Sequence, residues 1–345
     1  MRNRKFIAIV LAALLVVGGG SAYLFRAQIR AAIDTISGAD YQGSGSGKVA
    51  FVINSGDTGE TVASNLVKAG VTKNFSYTYK RIIARNPQFV PGTFQLHKEM
   101  ATDEALDLLA DPASKVVSRV TVKEGLRIGN VLSVLSKASS IPLVDFQNAV
   151  KDPTVYGLPS DLPNLDGYLF PATYELEPGA NATDVIRQMV DRMSAELKKF
   201  GVSKADRHRI LTMASVIQKE ARQTPDFYKV SRVFYNRIDK GMLLQSDATV
   251  SYGSGGHTVT TTDAERADTN GYNTYVHPGL PIGPIGAPGS TAIDAALHPA
   301  DGTWLYFCAI NLKTGETVFS TTYAEHGKAV KQWQQWMRDN PGWNG

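Results

Sequence analysis

The longest hydrophobic signal in the chain is unbroken rather than periodic. Residues 6–25, FIAIVLAALLVVGGGSAYLF, contain no charged side chain. As a helix, that run has the ~20 residues needed to cross a ~30 Å hydrocarbon core. Arg2, Arg4 and Lys5 precede it, and Arg26 and Arg30 follow. This bias predicts residues 1–5 in the cytoplasm, 6–25 as a single-pass membrane anchor and the rest of the chain on the outer face. A cleaved signal peptide is the alternative, but its apolar region would span only ~7–15 residues. Residues 26–47 read as a linker, closing on Gly-Ser-Gly-Ser-Gly at 43–47.

Periodic patterns begin at Lys48. Residues 48–54 alternate as a strand, and Gly56-Asp57-Thr58 turns into a helix carrying Val62, Leu66 and Val67. A second helix over 75–85 and a returning strand at 92–96 complete a strand–helix–helix–strand unit, taken as 48–120. That order resembles a LysM-like module, a small glycan-binding fold, although Gly-Asp-Thr is equally an ordinary turn with a helix cap. Further on, a short helix at 102–109, a β-branched strand at 115–122 and helices near 128–135 and 143–150 follow. Residues 121–180 form a connecting subdomain, whose stretch 156–179 is rich in Pro, Gly and aromatics.

The last part, 181–345, opens with an amphipathic helix at 184–200 bearing Val185, Ile186, Met189, Val190, Met193 and Leu197. A second, from about Lys204, carries a stripe of Ile210, Met213, Ala214, Ile217 and Ala221 at helical spacing. A strand at 304–310 and a helix at 323–338 close the chain. The fold class is therefore α+β.

Composition excludes several classes. With 43% hydrophobic and 20% charged residues the chain is globular, and 36 bases against 32 acids leave a formal charge of only +4. No basic block with interleaved aromatics is present, so no nucleic-acid partner is expected. The single cysteine, Cys308, cannot form an internal disulfide and sits in an apolar strand as a small hydrophobe. Of the histidines, His97, His208, His257, His277, His298 and His326, none shows metal-ligand spacing. No metal or organic cofactor is expected, and structural roles are expected for His298 and His326.

One acidic residue stands out. Glu220, in Ala-Ser-Val-Ile-Gln-Lys-Glu at 214–220, falls about 80° around the helix from Ile210, at the border of the apolar stripe. A carboxyl there loses solvation of its charged form, which raises its pKa. A proton donor to a glycosidic oxygen has this character. A surface ion pair is the plain alternative for a glutamate at such a border.

Its neighbours in sequence decide between them. Val-Phe-Tyr-Asn-Arg at 233–237, Leu-Leu-Gln-Ser-Asp-Ala-Thr at 243–249, Tyr-Asn-Thr-Tyr at 272–275, the Pro/Gly run at 279–289 and Ala-Ala-Leu-His-Pro at 295–299 occur in this order. Order and wording resemble the MltG (YceG-like) endolytic murein transglycosylases, from about Lys48 to the C-terminus. The resemblance implies that Glu220 is catalytic, acting first as acid and then as base while the C6 hydroxyl of MurNAc closes a 1,6-anhydro ring. It further implies peptidoglycan glycan strands as substrate, association with peptidoglycan synthases (penicillin-binding proteins), and a role in terminating strand elongation.

Gln245, Ser246, Asp247, Tyr252, Tyr272, Asn273, Thr274 and Tyr275 are the candidate sugar contacts. Their alternative is local: caps, turns and packing. Two positions depart from the family pattern, which has glutamate at Gln218 and commonly aspartate at Ala172. A hydrolase using a Glu220–Asp247 pair and a non-catalytic glycan-binding scaffold remain the rival readings.

Overall fold

A computed structural model describes residues 40–139, 141–256 and 261–342. The expected membrane span at 6–25 lies outside them, and among the described residues no helix is long and apolar enough to cross a membrane. The chain divides after Val117 into two compact units. The fold is α+β, with three small antiparallel two-stranded sheets.

In the first unit, β1 (Ser46–Ile53) pairs with β2 (Gly92–Lys98), and α1 (Gly59–Lys68) and α2 (Phe75–Arg85) lie between them in sequence. Helix starts are set locally. The Thr58 hydroxyl accepts from the Thr61 amide, and the Asn74 side-chain Oδ1 accepts from the Tyr77 amide, each satisfying a donor that the first turn leaves open. Phe51, Val62, Leu66, Ile82, Phe94 and Leu96 close the core. A third helix, α3 (Thr102–Ala110), is started by Asp40, whose carboxylate accepts from both the amide and the hydroxyl of Thr102.

The second unit, Ser118–Gly345, holds two cores. In the first, β3 (Ser118–Thr121) pairs with β4 (Thr173–Leu176) beside α4 (Ile128–Ala138), α5 (Leu143–Ala149) and α6 (Ala182–Lys199). Val120, Leu135, Phe146 and Tyr174 pack there with Val185, Ile186 and Met189 of α6. Residues 121–180 thus share one core with the helix that follows them.

The second core surrounds α7 (Arg207–Glu220). Sequence periodicity predicts a one-sided apolar stripe here, but every residue from Ile210 through Ile217 is buried. The reason is that two polar positions are neutralised within the fold. The Thr212 hydroxyl donates to the His208 carbonyl, and the Ser215 hydroxyl donates to that of Thr212 while accepting the Ile285 amide. Sealed polar groups of this kind cost little when bonded. Around α7 pack α8 (Thr224–Asp239), α9 (Asp247–Gly253) and α11 (Ser290–Leu297), the short α10 (Asp263–Ala267) following α9 in sequence. Helix α8 has no counterpart in the pattern-based reading. Strands β5 (Tyr306–Asn311) and β6 (Glu316–Ser320) form a hairpin packed on α12 (Tyr323–Asp339).

The second half of the Pro/Gly run at 279–289 goes inside, with residues 283–289 all buried. Gly167 allows this approach: its φ is +81°, and a Cβ there would meet Pro284 at 2.4 Å.

Asp166 joins the two cores of the second unit. It is 2% exposed, accepts the Ile128 amide at 2.7 Å with Oδ1, and accepts the Tyr252 hydroxyl at 2.7 Å with Oδ2. Burial pushes its carboxyl up to about 6 despite these bonds. The fold therefore disfavours the charged form, and stability declines as pH rises between the unfolded value near 4 and about 6. Asp166→Asn keeps the shape and an acceptor for Ile128. Urea denaturation at pH 4 and pH 7 should show a decline smaller by about 2 kcal/mol in the variant. Equal declines in both proteins would contradict a strained buried carboxylate.

Candidate active site

Glu220 is the last residue of α7. The middle of the helix is sealed, and beyond Ile217 side chains reach open space again, Glu220 among them. It emerges into a cleft of about 480 Å³, within the ~300–1,000 Å³ range of small-ligand sites. Partly buried there, Glu220 accepts a hydrogen bond through Oε1 from the Ser246 hydroxyl at 2.5 Å.

Three effects act on its carboxyl. Burial pushes the pKa above the usual carboxylate range and dominates; the Ser246 bond pulls it back; the Asp247 charge pushes it up again. The carbonyl end of α7 adds in the same direction as burial, because a helix C-terminus carries partial negative charge. The sum is an acid that keeps its proton to higher pH than a solvated glutamate.

Gln245, Ser246, Asp247 and Tyr275 line the cleft with Glu220, so half of the candidate sugar contacts converge on the acid. Gln245 is exposed, with a left-handed φ of +53°, uncommon for a residue with a side chain. Its amide donates to the Thr274 carbonyl, which holds that conformation. Asp247 is committed: Oδ1 accepts from the Tyr275 hydroxyl at 2.9 Å and the Thr261 hydroxyl at 2.7 Å, and Arg266 Nε lies 3.5 Å away.

The other four stand elsewhere. Asn273 has no exposed surface, and its side-chain amide donates to the carbonyls of Glu265, Arg266 and Asp268 while its oxygen accepts the Tyr275 amide. Thr274 is buried, its hydroxyl oxygen accepting the Ser246 amide and lying 2.8 Å from that of Thr249. Both residues hold the loop and present no free polar atom to the cleft. The Tyr252 and Tyr272 rings meet at a tilt, 4.6 Å apart, beside Asp166 and Asn164, and neither residue is among those lining the cleft.

Sequence reasoning missed the opposite side of the cleft. Arg237, Tyr306, Phe307, Tyr323 and His326 line it, brought there by α8, β5 and the first turn of α12. Arg237 belongs to a motif already noted at 233–237, but spacing gives it no role. His326 sits on a helix as expected, yet it faces the cleft, which no pattern within α12 signals. Among the described residues, no group of three or more His, Cys, Asp and Glu is placed to hold a metal ion.

Arg237 is 9% exposed. Its Nε donates to the Leu305 carbonyl at 2.6 Å, and Nη1 donates to those of Leu244 at 2.8 Å and Leu243 at 3.3 Å. It thereby ties β5 to the segment that carries Ser246.

Comparison with known proteins places this geometry. The YceG-like family profile matches residues 51–332. The chain is 35% identical over 307 residues to the endolytic murein transglycosylase of Bacillus subtilis (strain 168), covering 81% of this chain and 83% of that protein. It is 26% identical over 318 residues to the endolytic murein transglycosylase of Streptococcus pneumoniae serotype 2 (strain D39), covering 81% of this chain and 57% of that one. A solved yceG-like protein from Listeria monocytogenes superposes with a TM-score of 0.55 at 30% identity, covering 82% of this chain and 99% of that one. The chain belongs to the YceG-like family.

Replacing Arg237 with Leu leaves three carbonyls without a donor, and the expected loss in urea denaturation is about 2–4 kcal/mol. A loss below about 0.5 kcal/mol, within the range of ordinary surface changes, would remove Arg237 from the scaffold.

Proposed function

We propose that this chain is a lytic transglycosylase that cuts peptidoglycan glycan strands internally at MurNAc–GlcNAc bonds, with Glu220 as its only catalytic acid. The observation that carries this reading is the carboxyl at the end of a sealed helix, its pKa raised by burial, opening on a cleft. Kinship with the Bacillus subtilis protein supports the choice of substrate.

The chemistry needs one group in two states. Ser246 occupies Oε1, leaving Oε2 to carry the proton. Oε2–H protonates the oxygen between MurNAc and GlcNAc, and the MurNAc C1–O bond breaks. The C6 hydroxyl of the same MurNAc attacks C1, and its proton passes to the Glu220 carboxylate. A 1,6-anhydro end forms, the acid is regenerated and no water is consumed. A hydrolase would need a second carboxylate or a base for water. Asp247 is the nearest candidate, and its Oδ1 already accepts from the Thr261 and Tyr275 hydroxyls.

The same proposal extends to the rest of the chain. Residues 6–25 anchor it to the cell membrane as a single span, with residues 1–5 inside and the catalytic domain, 181–345, on the outer face. The β-α-α-β unit at 48–120 acts as a LysM-like glycan module, and 121–180 connects the two. Cutting nascent strands beside penicillin-binding proteins would set their length.

Glu220→Gln keeps the shape and cannot protonate. Cleavage of isolated glycan strands should be lost with the circular dichroism spectrum unchanged, and wild-type products should be lighter than hydrolysis products by one water. Reducing ends in place of anhydro ends would replace this reading with a muramidase.

The alkaline limb of the pH–rate profile should follow Glu220, since activity fades as the acid deprotonates. Ser246→Ala removes a bond to the charged form, so the limb should move to higher pH. Asp247→Asn removes a repelling charge and should move it lower. Shifts in the reverse directions would exclude Glu220 as the titrating acid.

A further inference from the structure

The reaction leaves one side of the cleft without a task. Tyr306 from β5 and Tyr323 and His326 from α12 line it in common with Glu220. Their rings form one contiguous cluster. Tyr306 and His326 lie nearly parallel, 5.2 Å apart at 21°, and Tyr323 meets Tyr306 edge-on at 5.9 Å. Behind them, the Arg237 guanidinium lies 5.2 Å from the Tyr306 ring.

Two features of this surface lack an explanation in packing. Tyr323 is 75% exposed, although a tyrosine ring carries a large apolar area whose exposure gains nothing in stability. His326 Nδ1 is buried and has no hydrogen-bond partner among the described residues. Burial, and then the nearby Arg237 charge, hold the imidazole below its ordinary pKa, so the ring is neutral at neutral pH. A neutral ring has one N–H and one lone pair. Buried orphan N–H groups are rarer than under-satisfied acceptors, which puts the lone pair on Nδ1 and the proton on Nε2. Nε2 is the nitrogen left to meet a ligand.

We propose that Tyr306, Tyr323 and His326 form a saccharide-binding wall, on which one sugar ring of the strand stacks while His326 Nε2–H donates to its hydroxyl or acetamido oxygen. The inference rests on the glycan-cutting reading of Glu220. A pyranose presents an apolar C–H face and a polar edge, and this wall offers flat rings with polar tips. Continuity with the acid selects the occupant, because whatever covers Tyr323 lies in the same cleft as the bond to be cut. Glu220, Ser246 and Gln245 then act on the strand from one side, and the aromatic wall supports it from the other.

The test uses the full chain with isolated peptidoglycan glycan strands freed of peptides. Kinetics are measured on Tyr323→Ala, Tyr323→Phe and His326→Phe, and affinity is measured by fluorescence anisotropy with labelled strands in a Glu220→Gln background. Tyr323→Ala should raise KM and weaken affinity about tenfold, the size of a lost stacking contact, with kcat within about threefold of wild type. Tyr323→Phe, which keeps the ring, should stay within about twofold of wild type, and His326→Phe, which keeps the stack and loses the donor, should raise KM about threefold or more. Normal cutting with KM and affinity unchanged in Tyr323→Ala and His326→Phe would overturn the wall and leave the function intact. A parent chain that neither cuts nor binds strands would overturn both.

Discussion

The site depends on one constraint: the complete enclosure of α7. Eight consecutive residues of that helix are buried, which is possible only because Thr212 and Ser215 bond to carbonyls one turn back and to the Ile285 amide. A helix fixed on every side cannot roll or slide without emptying a packed core. Glu220 is thereby held at the exit from the core rather than within it. Two opposing effects then meet on one carboxyl. A single neutral hydroxyl from Ser246 replaces only part of the hydration that a carboxylate loses, so burial prevails and the pKa is raised.

The loop that supplies Ser246 shows how polar residues divide between holding and binding. Asn273 spends its amide on three carbonyls, and Thr274 meets Ser246 and Thr249. Those atoms are saturated, and a saturated donor has nothing left for a sugar. What they provide is rigidity: Gln245 is kept in a left-handed conformation, and Ser246 is kept within 2.5 Å of Glu220. Strain of this kind persists where surrounding bonds over-determine it. Arg237 acts from behind in the same way, tying Leu243 and Leu244 to β5.

The α+β class and the β-α-α-β order of the first unit were legible in the sequence, because caps such as Thr58 and the helical spacing of α6 and α7 are local signals. Glu220 was singled out as the candidate acid through the resemblance of the motifs around it, since spacing alone leaves a surface ion pair as the alternative. The near half of the cleft was legible too, since Gln245, Ser246 and Asp247 are consecutive. The far half was not. Tyr306, Tyr323 and His326 reach Glu220 from β5 and α12, across about a hundred residues of chain, and no spacing rule encodes that return. Polar motif residues also look alike whether they face a ligand or brace a loop. Tyr272 to Tyr275 divides both ways, Tyr275 lining the cleft and Asn273 sealed beneath it.

Gln218 illustrates why a departure from the family pattern need not touch the chemistry. Two residues apart on a helix, side chains at 218 and 220 point about 200° apart, so they never share a face. Gln218 turns the other way, toward the buried Pro/Gly run, where its Oε1 accepts the Gly289 amide at 3.0 Å at the start of α11. One acceptor oxygen is all that this contact requires, and a carboxamide supplies it without a charge that would need its own compensation. A glutamate at the same position would meet the same amide and still stand apart from the cleft. Position 218 therefore brings no carboxyl to the cleft, whichever of the two side chains occupies it.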